Sequence, residues 1–238
     1  MVRKELNKHS PLRIFEQSTR GGLGVGNIGI ITAKKGVGKT ACLVHIATDK
    51  LFSGRQVIHV SFAADTCHIV SWYEDIFSEI ARRFNLDSAM EVHQEIIKHR
   101  IIMNFNQEGI QLSRVLKSVE SMVRDGNFSA DTIIVDGYDF TKITAEQLSE
   151  VKKFAESYNL AIWFSVTLNE GKKEKVYDQQ GMPLLLKGLT EEVAIIVCLI
   201  PEQDHIRLKL VKDHDSLVLD DLHLKLDTRT LLIVRENS

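Results

Sequence analysis

The sequence predicts an α/β fold: a mostly parallel central sheet flanked by helices, with antiparallel hairpin strands at its C-terminal end. Three observations predict it. Over the first two thirds of the chain, apolar runs of strand length alternate with longer segments of helical period, the signature of βαβ units and a parallel sheet. One of those runs, Thr132 to Val135, is the short stretch of Thr, Ile and Val typical of a strand buried on both faces. In the last third, VAIIVCLI, HIRLKLVK, LHLKL and LLIVRE follow one another with few residues between them, so those strands must be joined as hairpins.

In order, Asn27 to Thr32 reads as a buried strand, Gly38 to Phe52 as a helix, and Gln56 to Phe62 as a second strand after the turn at Ser53-Gly54. The segment from Ile69 to His99 has a helical period throughout and reads as helix. Another helix, Gln111 to Arg124, ends at Gly126 and delivers the chain to TIIVDG. A helix from Ala145 to Tyr158 and a strand from Leu160 to Thr167 complete the parallel part. A polar loop, residues 169–183, separates it from the hairpins.

Composition limits what such a fold could serve. With 238 residues, 44% of them hydrophobic, the chain can bury a sizeable core and is most simply one large domain, 20–238, behind a basic N-terminal extension, 1–19. A formal net charge of -2 offers no global attraction to nucleic acid. Cys42, Cys67 and Cys198 are far apart, odd in number and set among apolar residues, which predicts reduced, buried thiols and a cytoplasmic protein. No apolar run reaches about 18 residues and the charged N-terminus is followed by no apolar core, so neither a membrane span nor a secretion signal is expected. The nine histidines show no metal-binding spacing beside a suitable acid. His45 is expected to be packed rather than reactive.

The chemistry-bearing stretch is AKKGVGKT, Ala33, Lys34, Lys35, Gly36, Val37, Gly38, Lys39 and Thr40, followed by Ala41 at the start of a helix. Its G-x-G-K-T half is the back of the phosphate-binding loop G-x-x-x-x-G-K-[ST], with Ala33 where the first glycine is usual. Successive N–H groups of such a loop form an anion-binding concavity, and the following helix adds the positive end of its dipole. Lys39 then reaches phosphate oxygens and the Thr40 hydroxyl ligates Mg²⁺. Replacing the first glycine costs little if Ala33 has ordinary backbone angles. Asp136, at the end of the buried strand TIIVD, is the acid expected to hold the same Mg²⁺. Asp139 lies past the strand end and is the poorer candidate.

The order GGLGVGNIGIITAKKGVGKT, QVIHVSF, TIIVDG, AIWFSVT and a tail containing RLKLVKDH resembles the RecA-like P-loop ATPases, and most closely their KaiC and DnaB-helicase branch. The GGL-x-x-G lead-in of that branch is matched by Gly21, Gly22, Leu23 and Gly26. The resemblance implies a RecA-like core, ATP with Mg²⁺, and nucleotide sites at the interfaces of a homo-oligomer, commonly a hexameric ring. It also implies a γ-phosphate sensor after the strand ending at Thr167, for which Thr167 and Asn169 stand available, and a K-x-R reaching a neighbour's nucleotide, which would fall on Lys212 and His214. Histidine replaces the arginine there.

A larger departure concerns hydrolysis. The family's second strand ends in an acid that activates the attacking water, whereas this chain reads Val60, Ser61, Phe62, Ala63, Ala64. Asp65, one residue farther on, could serve only if the strand end bulges. The expected function is therefore ATP binding with weak or degenerate ATPase activity, nucleotide setting conformation or assembly. Two alternatives stay open. One is an active motor on nucleic acid, contacting it through Lys172, Lys173, Lys175 and Tyr177 of loop 169–183. The other is a nucleotide-regulated scaffold that binds protein through Trp72, Tyr73 and Phe77.

Overall fold

The computed structural model describes residues 10, 12–86, 88–168 and 176–236. Among these residues nine strands form one sheet in the order β3-β2-β4-β5-β1-β6-β7-β8-β9. The parallel part comprises β1 (Ile28–Ala33), β2 (Val57–Ser61), β3 (Arg100–Asn104), β4 (Thr132–Asp136), β5 (Ala161–Thr167) and β6 (Ile195–Pro201). Antiparallel pairing then carries the sheet through β7 (His205–Asp213), β8 (Ser216–Asp227) and β9 (Ile233–Arg235). The architecture is α/β, mostly parallel, with antiparallel C-terminal strands. β1, β2 and β4 are buried along their full length, as strands covered by helices on both faces must be.

Among the described residues six α-helices cover the sheet: α1 (Leu12–Ser18), α2 (Lys39–Phe52), α3 (Thr66–Arg83), α4 (Ala89–Ile97), α5 (Leu112–Arg124) and α6 (Ala145–Ser157). One core cluster gathers apolar side chains of α1, α2, α3 and α4 on one face of the sheet, and a second gathers those of α5 and α6 on the other. α2 is buried almost all round, with Leu43, Val44, Ala47 and Leu51 inaccessible or nearly so. It packs on α3 and lies under the strands of the C-terminal extension, with Leu224 and Leu226 in the same cluster. At Gly29 of β1 an added Cβ would meet the Trp163 ring at 2.5 Å, so the indole packs directly on strand backbone.

Four sequence expectations change. The predicted helix Ile69 to His99 is two helices: α3 ends at Arg83, and Asn85 takes φ 47 in the connection that follows. Its last residues lead into β3, which the sequence reading missed because this edge strand is only half-buried and its apolar signal merges with that of α4. Residues 12–18, assigned to the extension, form α1, and Leu12 and Phe15 belong to the main core. Cys42 and Cys198 are buried free thiols as expected, but Cys67 is exposed, because the first turn of α3 lies at the surface. Among the described residues no helix is long and apolar enough to cross a membrane.

Candidate functional site

The phosphate-loop sequence folds as a tight turn from β1 into α2. Ala33 is the last residue of β1, fully buried and outside the left-handed region, so the alanine substitution costs the turn nothing. Gly36 and Gly38 take φ 80 and 94, conformations that glycine adopts without steric penalty. Gly38 has a second constraint, since a Cβ there would lie 2.6 Å from Leu226 Cδ2 of β8. Val37 packs against the core, Ala41 is buried in the first turn of α2, and Lys34 and Lys35 are exposed.

Lys39 is turned inward. Its Nζ donates to the carbonyl oxygens of Ala33 at 3.2 Å and Lys34 at 2.9 Å, closing the loop around its own ammonium. Burial pushes the Lys39 pKa down, and the nearby Asp136 carboxylate opposes that shift. Thr40, the next residue, donates its hydroxyl to Asp136 Oδ2 at 2.7 Å. The two motifs read separately from the sequence thus meet, across 96 residues of chain.

Asp136 ends β4 in a tight frame. Its carbonyl accepts the Phe62 N–H at 2.9 Å, and the following Gly137 N–H donates to Ser165 Oγ on β5 at 2.8 Å. On the same sheet face, one row below, lies His59. Its Nδ1 meets the Tyr73 hydroxyl at 3.0 Å, and Arg100 stands 4.2 Å from the Tyr73 ring centroid. Burial pulls the His59 pKa down to about 4 against the pull of Asp136. The imidazole is therefore neutral at pH 7.

Around this frame opens a cleft of about 550 Å³ at the carboxyl ends of β1, β4 and β5, where open α/β sheets bind ligands. One side presents Lys39, Thr40, Asp136, Ser165 and Thr167. Facing them are His68 and Trp72 of α3, paired edge to face with Trp72 Nε1 donating to His68 Nε2 at 3.1 Å. Ile206, Thr228 and Leu231 of the C-terminal extension form a further part of the wall.

Other predicted residues lie elsewhere. The β2 ladder runs to Ser61 without a bulge, so the condition for Asp65 to act is not met. Asp65 is exposed, caps α3 by accepting the Cys67 N–H at 2.9 Å, and is not among the cleft residues. Ala63 does line the cleft. Asp139 caps a short 3₁₀ helix through the Thr141 N–H. Lys212 donates from Nζ to the Val193 carbonyl of its own chain, and burial lowers its pKa. His214, at φ 51, pairs with Asp213 at 2.7 Å. Asn169, Lys172, Lys173 and Lys175 lie outside the described residues.

The sequence reading did not identify Ser165, His68, Ile206, Thr228 or Leu231. The i, i+4 spacing of His68 and Trp72 announces a helical pair, though not that it faces the loop. A separate cavity of about 210 Å³ lies away from the loop, against Phe15, Trp163 and the Gly21 to Val25 segment. The chain matches no protein-family model and no curated protein relative. On its fold alone it is an α/β protein with a mostly parallel sheet and an antiparallel C-terminal extension.

Proposed function

We propose that this protein is a RecA-like ATP-binding protein that holds ATP with Mg²⁺ in the cleft and uses it to set conformation or assembly into a homo-oligomer, with little or no hydrolysis. The observation that carries this reading is the 2.7 Å bond from Thr40 to Asp136, beside a loop whose Gly36 and Gly38 take the positive φ angles that a phosphate-binding turn uses. A hydroxyl and a carboxylate so placed are hard oxygen ligands of the kind Mg²⁺ takes alongside phosphate oxygens. Lys39 fits the same ligand, because phosphate oxygens offer a partly desolvated ammonium more than the two carbonyls it now contacts. Trp72 and His68 offer a base an aromatic wall, and Leu231 and Ile206 an apolar one.

The low turnover follows from what faces the phosphate end. Ala63 supplies no proton acceptor, Asp65 is committed to capping α3, and positioning of the attacking water accounts for orders of magnitude in this chemistry. The test is a paired measurement on the purified protein and its Lys39→Ala variant: equilibrium binding of ATP with Mg²⁺, and steady-state phosphate release. Binding lost in the variant, with negligible release by the wild type, is the expected result. Lys39-dependent hydrolysis at ordinary ATPase rates overturns the low-turnover half of the reading, and absence of binding overturns all of it.

A further inference from the structure

His59 of β2 is 0% exposed, and its Nε2 meets no hydrogen-bond partner among the described residues. A buried polar atom without a partner destabilises a fold, and a chain that keeps one commonly does so for a bound water or for a role at a site. The other ring nitrogen is engaged, with Nδ1 at 3.0 Å from the Tyr73 hydroxyl. That contact selects the tautomer. If Nδ1 donated to the hydroxyl oxygen, the tyrosine proton and the Nε2 lone pair would both be left unpaired in the interior. If the hydroxyl donates to Nδ1, only the Nε2–H remains unpaired, and this form costs less. His59 therefore presents a buried donor in search of an acceptor.

The sheet register supplies one. Ser61 of β2 and Asp136 of β4 are register partners, as are His59 and Ile134. Paired residues of neighbouring strands point to the same face, so His59, Ser61 and Asp136 share one. A strand spacing of about 4.8 Å and a rise of about 3.3 Å per residue put the diagonal pair His59 and Asp136 about 8 Å apart at the backbone. Imidazole and carboxylate span most of that, leaving room for one water. Ser61, also 0% exposed, accepts the Ala63 N–H at 3.1 Å and keeps its own proton to donate. Asp136 accepts Thr40 at Oδ2, which leaves Oδ1 for a further donor. His59 Nε2–H, Ser61 Oγ–H and Asp136 Oδ1 are three polar partners, as many as a buried water typically has. Burial lowers the His59 pKa, the Asp136 carboxylate opposes that fall and the Arg100 guanidinium adds to it, so the ring is near enough to Asp136 to sense its charge.

We propose that His59 is a positioning residue for Asp136: its Nε2–H, through one buried water shared with Ser61, holds the carboxylate turned toward Thr40 and the metal. Tyr73 fixes the ring by donating to Nδ1, and Arg100, 4.2 Å from the Tyr73 ring centroid, steadies the tyrosine. Carboxylates that ligate metals are themselves hydrogen-bonded, and loss of such an outer partner weakens metal affinity about 10–100-fold. The role rests on the reading of the cleft as an ATP and Mg²⁺ site; the His59–Asp136 link does not.

The test compares wild type with His59→Gln, whose amide can still donate, and with the double variant His59→Leu/Tyr73→Phe, which replaces the buried polar pair by apolar side chains. ATP affinity is measured calorimetrically with Mg²⁺ and with chelator, and Tm without ligand. The gain in affinity from Mg²⁺ should fall tenfold or more in the double variant and be largely kept in His59→Gln, with affinity in chelator alike in all three. The double variant's unliganded Tm should equal or exceed that of the wild type, the reverse of what a purely structural role predicts. A gain from Mg²⁺ that survives the double substitution, or an equal loss with and without Mg²⁺, overturns the proposal. Histidine ¹⁵N NMR of the unliganded protein tests the link without any change at His59: the ring should be protonated at Nε2, with a resonance that moves in Asp136→Asn. Protonation at Nδ1, or a resonance indifferent to Asp136→Asn, overturns it equally. Failure of the nucleotide reading shows instead in the wild type, as no binding or no gain from Mg²⁺, and removes the positioning role with it.

Discussion

Ile233 of β9 donates its backbone N–H to Nδ1 of His45, in the middle of α2, at 2.8 Å. The bond joins the helix that begins at the phosphate loop to the last described strand of the chain, and it defines the ring's state. Nδ1 must be the acceptor, so the imidazole is neutral with its proton on Nε2.

Burial of this ring, and of His59, sets a pH dependence. Burial pulls His45 and His59 each down to about 4, from an ordinary value of 6.5. Because the unfolded chain binds these protons more readily, the stability they contribute is complete above pH 6.5 and is lost as pH falls from there through about 4. At about 1.4 kcal/mol per pH unit, each accounts for roughly 3 kcal/mol over that window. The urea midpoint should fall steeply between pH 7 and pH 5, and His45→Gln, whose amide oxygen can still accept the Ile233 N–H, should flatten the fall. A midpoint independent of pH over that range contradicts the assignment.

Gly38→Ala and Gly36→Ala separate conformation from contact. Both residues have positive φ, which costs a non-glycine residue about 1–2 kcal/mol. Only Gly38 also meets Leu226, whereas a Cβ at Gly36 has nothing within 4 Å. Thermal unfolding should therefore rank Gly38→Ala as the more destabilised, by a further 1 kcal/mol or more. Equal losses would mean that the β8 contact yields freely.

Lys39→Met removes an ammonium that burial already disfavours. Its Tm without ligand should stay near that of the wild type or rise, while stabilisation by ATP with Mg²⁺ disappears. Persistence of that stabilisation would place the phosphates away from this loop.

Asp136→Asn keeps an oxygen to accept the Thr40 hydroxyl and loses the charge. The fold should survive with any nucleotide binding uncoupled from Mg²⁺, read as superimposable titrations with Mg²⁺ and with chelator. A Mg²⁺ dependence that survives the substitution moves the metal off Asp136.

Ala63→Glu places an acid in the cleft wall. Phosphate release should rise by an order of magnitude or more if only the proton acceptor is missing, given the usual weight of general base catalysis, about 10²–10⁴-fold. An unchanged rate with intact ATP binding shows that more than the base is lacking.

Local order carried much of this molecule in the sequence alone. The run of β1 into G-x-G-K-T into α2 is contiguous, and its chemistry follows from residue types at fixed spacing. Four apolar or β-branched residues before Asp136 mark a buried strand, and the alternation of such strands with helices announces the parallel sheet. Capping was readable in principle: Thr144 and Gln147 form a capping box at the start of α6. β3 escaped because a half-buried edge strand beside a helix has no clean period. What only the tertiary structure decided is where distant side chains meet, since such contacts are set by register and crossover and leave no period in the chain. Thr40 bonds to Asp136 because β5 lies between β1 and β4. Trp72 turns to the cleft because Asp65 starts α3 where it does, and the same cap engages the Asp65 carboxylate outside the cleft. His59, Ser61 and Asp136 share a face only because β2 pairs with β4 in this register.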